Sequence, residues 1–286
     1  MSMIGGSAVI SQDSPGPFGN INLSNDNVIP WLQKLADSQH RYDCAVVTQI
    51  SHMGRRSSWA KGDWLPLIWS SCQREPAHRR FPKIAEEEDI FRVINDFGQA
   101  ARRVKEGKLD GVEFLCSSQL AGSFVSRSQN FREDDWGGSL EKRMHFNFEV
   151  IKEIRKQVGA DFILGLRVTG GEGTRGGNDE NESLEIMKRY AESGQVDYLN
   201  INWSTGGGSD VSVSRAIPPL GSPSAPNLSK VKAVKAQINI PILHSCGVSD
   251  VATARYAIQS ESVDLIGMTR AHFADPHILK KVSEGN

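Results

Sequence analysis

Two polar side chains stand near the ends of predicted strands, and their types suit the binding of a polar ligand. Gln49 lies in the apolar run 43–50, and its amide offers a hydrogen-bond donor and an acceptor together. Arg167 lies in the run 162–168, where a buried cation can stabilise negative charge that develops on a bound group. The alternative for Gln49 is a solvated strand end. The alternative for Arg167 is an ion pair with Glu113, because buried arginines are rare unless paired.

Two glycine-containing turns in the C-terminal part of the chain suit a phosphate group. The first consists of Ser245, Cys246 and Gly247, and the second of Gly267, Met268, Thr269 and Arg270. Glycine allows a ligand to approach the backbone closely, and a helix N-terminus with an arginine favours an anion. The alternative is that glycine serves only the tight turn between a strand and a helix.

Short apolar runs alternate with amphipathic stretches, which is the pattern of parallel βα units. The predicted strands are 1–7, 43–50, 111–116, 162–168, 198–203, 241–244 and 263–268. The predicted helices are 89–106, 139–158, 183–193, 229–237 and 250–259. The predicted fold class is α/β, a TIM (β/α)8-type barrel that lacks its first strand, in which the carboxyl ends of the strands face the active site. The alternative is an open, doubly wound parallel sheet.

Three segments outside these elements carry further expectations. The long irregular segments 54–80 and 205–226 are predicted to be functional loops. Segment 130–143 (NFREDDWGGSLEKR) is dense in charge and is predicted to tie a loop to the barrel. Trp203 ends a predicted strand, and its aromatic face suits a methylated ammonium group. The more common role of such a residue is to anchor a loop.

Composition excludes several classes of protein. The 286 residues include 33 Lys and Arg against 34 Asp and Glu, for a net charge of -1, which argues against nucleic-acid and polybasic membrane proteins. No apolar stretch has the length of a membrane-spanning helix. The four cysteines form no CxxC pair, so no metal site is predicted. The first residues do not resemble a secretory signal, and a cytoplasmic location is expected.

Taken together and in this order, the segments resemble the Old Yellow Enzyme family of FMN-dependent oxidoreductases over nearly the whole chain. QISHMGR (49–55) looks like the family's QxxHxGR motif, and DGVEF followed by NFREDDWGGSLEKR looks like its DGVE…NxRxDxxGGSxxNR signature. GLRVT and IGMTRAHFADP resemble its strand-five arginine and strand-eight phosphate segments. REPAHRRFPK and GMTRAHFADPH look most like the branch of dimethylglycine, N-methylproline and trimethylamine dehydrogenases or demethylases, to which the 2,4-dienoyl-CoA reductases are close relatives.

The resemblance implies that FMN is the cofactor. Carried over position by position, Gln49 would bind the isoalloxazine ring and Arg167 its N1–O2 region. The phosphate would lie against the turns 245–247 and 267–270. A small-molecule substrate would stack over the flavin and pass a hydride to its N5 atom. The implied partners are this substrate and NAD(P)H or an electron-transfer partner, with no nucleic acid and no membrane.

Several positions depart from the family pattern. The chain begins where the second strand is expected, and the resulting open edges would be covered by a homo-oligomer, by a domain swap or by closure with fewer strands. Residues 1–286 are expected to form a single FMN-binding domain without the iron–sulfur and dinucleotide domains of long relatives. Gln119 aligns with an active-site His or Tyr, and a Gln cannot act as a general acid. Gly247 stands where Arg is common, and Arg127 where Pro is usual.

Three functions remain open on this basis. The first is FMN-dependent oxidation and demethylation of a small N-methylated amine or amino acid, with Arg167, Gln119 and Trp203 as the catalytic candidates. The second is NAD(P)H-dependent reduction of an enoate or a 2,4-dienoyl compound, against which the missing proton donor at Gln119 argues. The third is a non-catalytic remnant or one part of a split enzyme, which the missing first strand favours.

Overall fold

Seven parallel strands form the main sheet of the protein. The structure is a computed structural model that describes residues 1–16, 19–57, 66–76, 79–203, 217–219 and 221–285. Its strands are β1 (Ser2–Val9), β2 (Val46–Ser51), β3 (Ile68–Trp69), β4 (Lys83–Ile84), β5 (Gly111–Leu115), β6 (Ile163–Thr169), β7 (Tyr198–Asn202), β8 (Ile242–His244) and β9 (Leu265–Ile266). The short strands β3 and β4 form a separate two-stranded sheet, and the other seven match the seven predicted strands.

The order of strands in the main sheet is β1-β2-β5-β6-β7-β8-β9, so neighbours in space are successive along the chain. All six pairings are parallel. A doubly wound sheet reverses its strand order at a switch point. The sequential order therefore rules out that alternative and is the order found in a (β/α) barrel. Within the described residues, β1 and β9 stand at the two ends of the sheet and do not pair with each other.

Helices follow most of these strands. They are α1 (Ile29–His40), α2 (Glu87–Glu106), α3 (Gln119–Val125), α4 (Leu140–Val158), α5 (Glu180–Glu192), α6 (Leu228–Lys235), α7 (Val251–Gln259), α8 (Arg270–Ala274) and α9 (Ile278–Ser283). Ser139, Asp179 and Asp250 cap α4, α5 and α7 by accepting a backbone N–H in the first turn. None of the helices in the described part of the chain is long and apolar enough to cross a membrane.

The two faces of the sheet have different surroundings. Phe114 of β5 meets Phe97 of α2 edge to face, with ring centroids 4.8 Å apart, so this face of the strand is covered by helices. Side chains alternate between the faces of a strand, and Glu113 therefore points to the other side. Cross-strand partners share a face, which places Gln49 beside Glu113 and Arg167 beside Asn200 on that inner side.

Helices α1 and α3 were not predicted, and both carry a weak helical pattern. Helix α1 buries only Leu32 and Ala36, so its apolar stripe is narrow. Helix α3 is buried at every position from 120 to 125 and therefore shows no polar face. The loop predictions for 54–80 and 205–226 fall partly outside the described residues, which leave out 58–65, 77–78, 204–216 and 220.

Segment 130–143 has the structural role that its composition predicted. The Asn130 side-chain amide donates to the carbonyl oxygens of Phe124 and Trp136, at 2.7 and 2.8 Å. The buried Arg143 guanidinium donates to the Gly138 carbonyl at 3.2 Å and pairs with Glu182 of α5. These bonds hold the connection between α3 and α4 against α3 itself and against α5.

A buried ionic cluster lies where the chain leaves β1. Asp13 accepts hydrogen bonds from His52 at 3.0 Å, from Arg92 at 2.6 Å and from Ser11 at 2.5 Å. Burial by itself would raise the pKa of Asp13, but the bonds and charges of these partners hold that pKa well below its usual range. The negative charge on Asp13 therefore stabilises the folded state at neutral pH.

Asp13→Asn is expected to lower the free energy of unfolding at pH 7 by about 2 kcal/mol, because it removes the carboxylate that the buried His52 and the partly exposed Arg92 share. A depressed folded-state pKa stabilises above the unfolded pKa, near 4, and this stabilisation is lost as the pH falls below it. Urea unfolding at pH 7 and pH 3 should therefore show a large difference between wild type and variant at pH 7 and a smaller one at pH 3. The exposed Asp26→Asn variant is the control. A difference for Asp13→Asn that is equal at both pH values would contradict the assignment.

Candidate functional site

Five polar side chains from four neighbouring strands form one hydrogen-bonded group on the inner side of the sheet. The Gln49 amide nitrogen donates to Glu113 Oε1 at 2.7 Å. Glu113 Oε2 accepts from the Tyr198 hydroxyl at 3.1 Å and from Asn200 Nδ2 at 2.8 Å. Asn200 Oδ1 in turn accepts a hydrogen bond from the Arg167 guanidinium. We call these residues the inner polar layer.

The inner polar layer shows which groups are bonded to Arg167. Its guanidinium is linked to the Glu113 carboxylate through the Asn200 amide, and among the described residues there is no direct ion pair between the two charges. Arg167 also donates to Ser245 Oγ at 3.0 Å, and its Nη2 lies 3.9 Å from Cys246 Sγ. Neutral groups therefore fix the orientation of the Arg167 guanidinium, and the Glu113 carboxylate lies on the far side of Asn200.

Gly165 makes room for one member of this layer. A Cβ at Gly165 would lie 2.0 Å from Cζ of Tyr198 and 2.5 Å from its hydroxyl oxygen. The tyrosine ring therefore crosses the neighbouring strand at a position that only glycine leaves open. Burial, followed by the Glu113 charge, raises the pKa of Tyr198, so its hydroxyl stays protonated and donates to Glu113.

The two glycine-containing turns are brought next to each other. A Cβ at Gly267 would lie 2.6 Å from Ser245 Cβ, so the second turn packs on the first at a residue that contacts Arg167. Gly247 has φ +78, a conformation that favours glycine, and its carbonyl accepts from the Ala225 N–H at 2.9 Å. The Arg270 guanidinium donates to the Pro218 carbonyl at 2.9 Å.

Met268 and Thr269 lie between Gly267 and Arg270 in the second turn. The Met268 carbonyl accepts from His272 Nδ1 at 2.7 Å, and Thr269 is exposed ahead of helix α8. The sequence-predicted residues Gln49, Arg167, Ser245, Cys246 and Gly267 thus form one connected group. Arg270 and Gly247 border this group from the loop side.

Gln119 and Trp203 lie outside that connected group. Gln119 begins α3 with φ +57, and its buried Oε1 has no hydrogen-bond partner among the described residues. Trp203 follows β7 and packs on Gly170, where a Cβ would lie 2.3 Å from the indole ring. Lys230 Nζ lies 5.8 Å from the centroid of that ring, and Trp203 is only 6% exposed. In this structure the cation that faces Trp203 is the chain's own lysine.

Sequence reasoning missed the roles of Tyr198 and Asn200 in the layer. Both lie on β7, two positions apart, and they share a face with Arg167 of β6, which pairs with Asn200. The signal was present, because polar residues at a two-residue spacing inside a buried strand need partners on the same face. No group of three or more metal-binding side chains occurs in the parts of the chain that the structure describes.

Comparisons with known proteins give one consistent result. The profile of the NADH:flavin oxidoreductase / NADH oxidase family matches residues 1–286. The chain is 45% identical to the "Probable N-methylproline demethylase" of Rhizobium meliloti, over 99% of this chain and 42% of that protein. It is 42% identical to the "N,N-dimethylglycine/sarcosine dehydrogenase" of Chromohalobacter salexigens, over 99% of this chain and 41% of that protein.

A third relative and a solved structure agree with this result. The chain is 41% identical to the "Multifunctional alkene reductase/demethylase OYE" of Caballeronia cordobensis, over 100% of this chain and 42% of that protein. It superposes on a 2-naphthoyl-CoA reductase complex with a TM-score of 0.88 and 29% identity, covering 98% of this chain and 44% of that one. The chain therefore spans about two-fifths of the length of the curated relatives it matches.

Proposed function

The chain belongs to the NADH:flavin oxidoreductase / NADH oxidase family, and from that membership we propose that it is the FMN-binding part of an oxidoreductase that demethylates a small N-methylated amine or amino acid. The observation that carries the proposal is the 41–45% identity, over 99–100% of the chain, to three relatives whose names include two demethylases and a dimethylglycine/sarcosine dehydrogenase. FMN is the cofactor of this family.

The residues at the carboxyl end of the sheet fit FMN. Asn202 lies two residues beyond Asn200 on the same face of β7, and its buried Oδ1 has no hydrogen-bond partner among the described residues. Gly267 lets the two turns assigned to the phosphate pack together, since a Cβ there would lie 2.6 Å from Ser245 Cβ. An unsatisfied buried polar group is a feature of a site for a polar ligand.

We assign the parts of the site as follows. Gln49 and Arg167 hold the polar edge of the ring, and the turns 245–247 and 267–270 hold the phosphate. When bound, FMN supplies a hydride acceptor. Arg167 contributes a fixed positive charge, which favours the negatively charged reduced ring. Asn200 and Ser245 keep its guanidinium in one orientation.

The side chain at Gln119 favours oxidation of an amine over reduction of an alkene. Hydride loss from a neutral N-methyl amine leaves an iminium cation, and this step needs no proton donor. Alkene reduction adds a proton to the second carbon, which a Gln cannot supply. Trp203 stays a candidate for the substrate side of the site through its position after β7.

The domain organisation is also part of the proposal. We assign residues 1–286 to one TIM-type barrel domain in which a strand outside the seven closes the gap between β9 and β1. The implied partners are the small-molecule substrate and NAD(P)H or another electron carrier. A homo-oligomer is an alternative way of covering the two sheet edges.

The proposal is tested by anaerobic reduction of the bound flavin. The FMN-loaded chain is mixed with N-methylproline, N,N-dimethylglycine or sarcosine, and with proline and glycine as unmethylated controls. Loss of the oxidised-flavin absorbance with the methylated compounds alone supports the proposal. If all five leave the flavin oxidised, demethylation is rejected for this chain. If a cooperatively folded chain retains no FMN, the remnant or split-enzyme interpretation is favoured.

A second candidate function is NAD(P)H-dependent alkene reduction. The observation that favours it is the relative named both alkene reductase and demethylase, at 41% identity. Turnover of 2-cyclohexenone with NADH or NADPH would support it, and flavin reduction by the amines without such turnover would count against it.

Arg270→Ala is expected to weaken FMN binding about tenfold, because loss of one charged phosphate contact costs about 1.5 kcal/mol. Fluorescence titration of the apoprotein with FMN measures the change. Arg255→Ala, which removes an exposed arginine from α7, is the matched control. Equal affinity in the two variants would contradict the phosphate assignment.

A further inference from the structure

Glu113 is a fully buried carboxylate, and among the described residues its hydrogen-bond partners lie on β2, next to its own strand, and on β7, the next strand but one. It is 0% exposed, and its two oxygens accept from Gln49 of β2 and from Tyr198 and Asn200 of β7. All three donors are neutral. A buried carboxylate is costly unless its oxygens are satisfied and a positive charge is near. The cation that meets this need is Arg167, one amide further along the layer.

Glu113 decides which way two side-chain amides face. Asn200 turns its nitrogen to Glu113 and its oxygen to Arg167. Gln49 likewise turns its amide nitrogen to Glu113, so its amide oxygen is turned away from that carboxylate. An amide can rotate by half a turn with little change in shape, so only its partners determine the direction. A carboxylate accepts hydrogen bonds and does not donate, and it therefore selects one of the two directions for both amides.

We infer that Glu113 is the positioning residue of the flavin site. It holds both amides with their nitrogens toward Glu113, so that the amide oxygen of Asn200 faces Arg167 and the amide oxygen of Gln49 is turned away from the carboxylate. Its negative charge partly offsets the positive charge of Arg167. The inference rests on the proposed function, because it concerns the residues assigned to the ring of FMN. It adds that the affinity and the reduction potential of the site are set by a carboxylate that does not touch the cofactor.

Two substitutions separate the orientation of the amides from the charge. Glu113→Gln keeps the size of the side chain and removes the charge, and its own NH2 group then faces one of the three donors. Glu113→Asp keeps the charge but is one methylene shorter, so it cannot reach β2 and β7 together. Glu172→Gln is the matched control, since Glu172 is 4% exposed and is hydrogen-bonded by Ser126 and Ser128 outside the inner polar layer.

The first readout does not depend on FMN. Side-chain amide signals of Gln49 and Asn200 are followed by NMR in 15N-labelled apoprotein. In wild type we expect both to be shifted and slow to exchange with water, because each donates to a carboxylate. Glu113→Gln and Glu113→Asp should each abolish this for Gln49 or for Asn200, and Glu172→Gln should leave both signals unchanged. Unchanged signals in the two Glu113 variants would overturn the inference.

The second readout uses the FMN-loaded chain. We expect FMN to bind about tenfold more weakly to both Glu113 variants, since Glu113 no longer orients Gln49 and, through Asn200, Arg167 together. Glu113→Gln should also raise the midpoint potential of bound FMN, because removal of a negative charge beside Arg167 stabilises the reduced ring. Glu113→Asp keeps the charge and should leave the potential close to that of wild type. Equal potentials in wild type and Glu113→Gln would overturn the role of the charge.

The two readouts also distinguish this inference from the proposed function. A wild-type chain that binds no FMN contradicts the proposed function, and the amide signals then decide about Glu113 alone. A wild-type chain that binds FMN, with amide signals that ignore Glu113, leaves the proposed function standing and rejects Glu113 as the positioning residue.

Discussion

Replacement of Arg167 by Met is expected to weaken FMN binding about 100-fold, equivalent to about 2.7 kcal/mol. Met retains the length and much of the apolar stem of the side chain but removes the only cation that is bonded within the inner polar layer of the described residues. The loss should exceed that of Arg270→Ala, because the guanidinium of Arg167 is held on both sides by Asn200 and Ser245. Fluorescence titration with FMN measures the change in affinity.

Arg167→Lys and Arg155→Met complete this experiment. Lys keeps the charge but replaces a planar, forked donor by a point charge, and we expect it to recover only part of the affinity. Arg155, in the last turn of α4, is another partly buried arginine, and it donates to the Gln195 and Phe162 carbonyls and to Asp197. Arg155→Met tests whether the loss of a structural guanidinium is by itself enough to weaken FMN binding. An FMN affinity for Arg167→Met as high as that of wild type would remove Arg167 from the site.

Replacement of Gly165 by Ala is expected to lower the free energy of unfolding by about 3 kcal/mol, at the upper end of overpacking costs in a core. The new methyl group would lie 2.0 Å from the Tyr198 ring, and both strands are buried there. The ring must therefore shift, which also draws its hydroxyl away from Glu113. Chemical denaturation measures the loss of stability, and FMN titration should show weaker binding.

The control for this variant lies on the same sheet. Gly5→Ala in β1 places a methyl group where no atom lies within 4 Å, and it should change stability by less than about 0.5 kcal/mol. Tyr198→Ala supplies the second arm of a double-mutant cycle. In that background Gly165→Ala should cost little, because the clashing ring is gone. Additive costs in the double variant would show that the ring is not the cause.

The strands of the main sheet could be predicted because each is a short apolar run between polar turns. The structure confirms all seven, with boundaries shifted by a few residues, as in β2, which begins at Val46 rather than at residue 43. Helices α2, α4 and α5 were predicted for a similar reason, since each has a clear apolar stripe and an acidic first turn. The two-residue strands β3 and β4 have too few positions to show a period.

The candidate site was predicted in its parts but not in its connections. Gln49 and Arg167 stood out because a polar side chain within an apolar run is unusual. That Asn200 joins Arg167 to Glu113 depends on the register between β6 and β7, in which Arg167 pairs with Asn200. The interpretation of Arg167 as a direct partner of Glu113 was wrong for this reason, since the register inserts an amide between the two charges.

The sequence by itself determined the parallel α/β class, the order of its strands and the residue types at their carboxyl ends, because these follow from local periodicity and from motifs that keep their order along the chain. Only the tertiary structure decided which polar side chains meet. Contacts between residues far apart in the chain, such as Gln49 with Glu113 at 64 positions and Tyr198 with Glu113 at 85, depend on strand register and on which face each side chain occupies. A shift of one residue would turn each of them to the helix-covered face, and no local pattern encodes that choice.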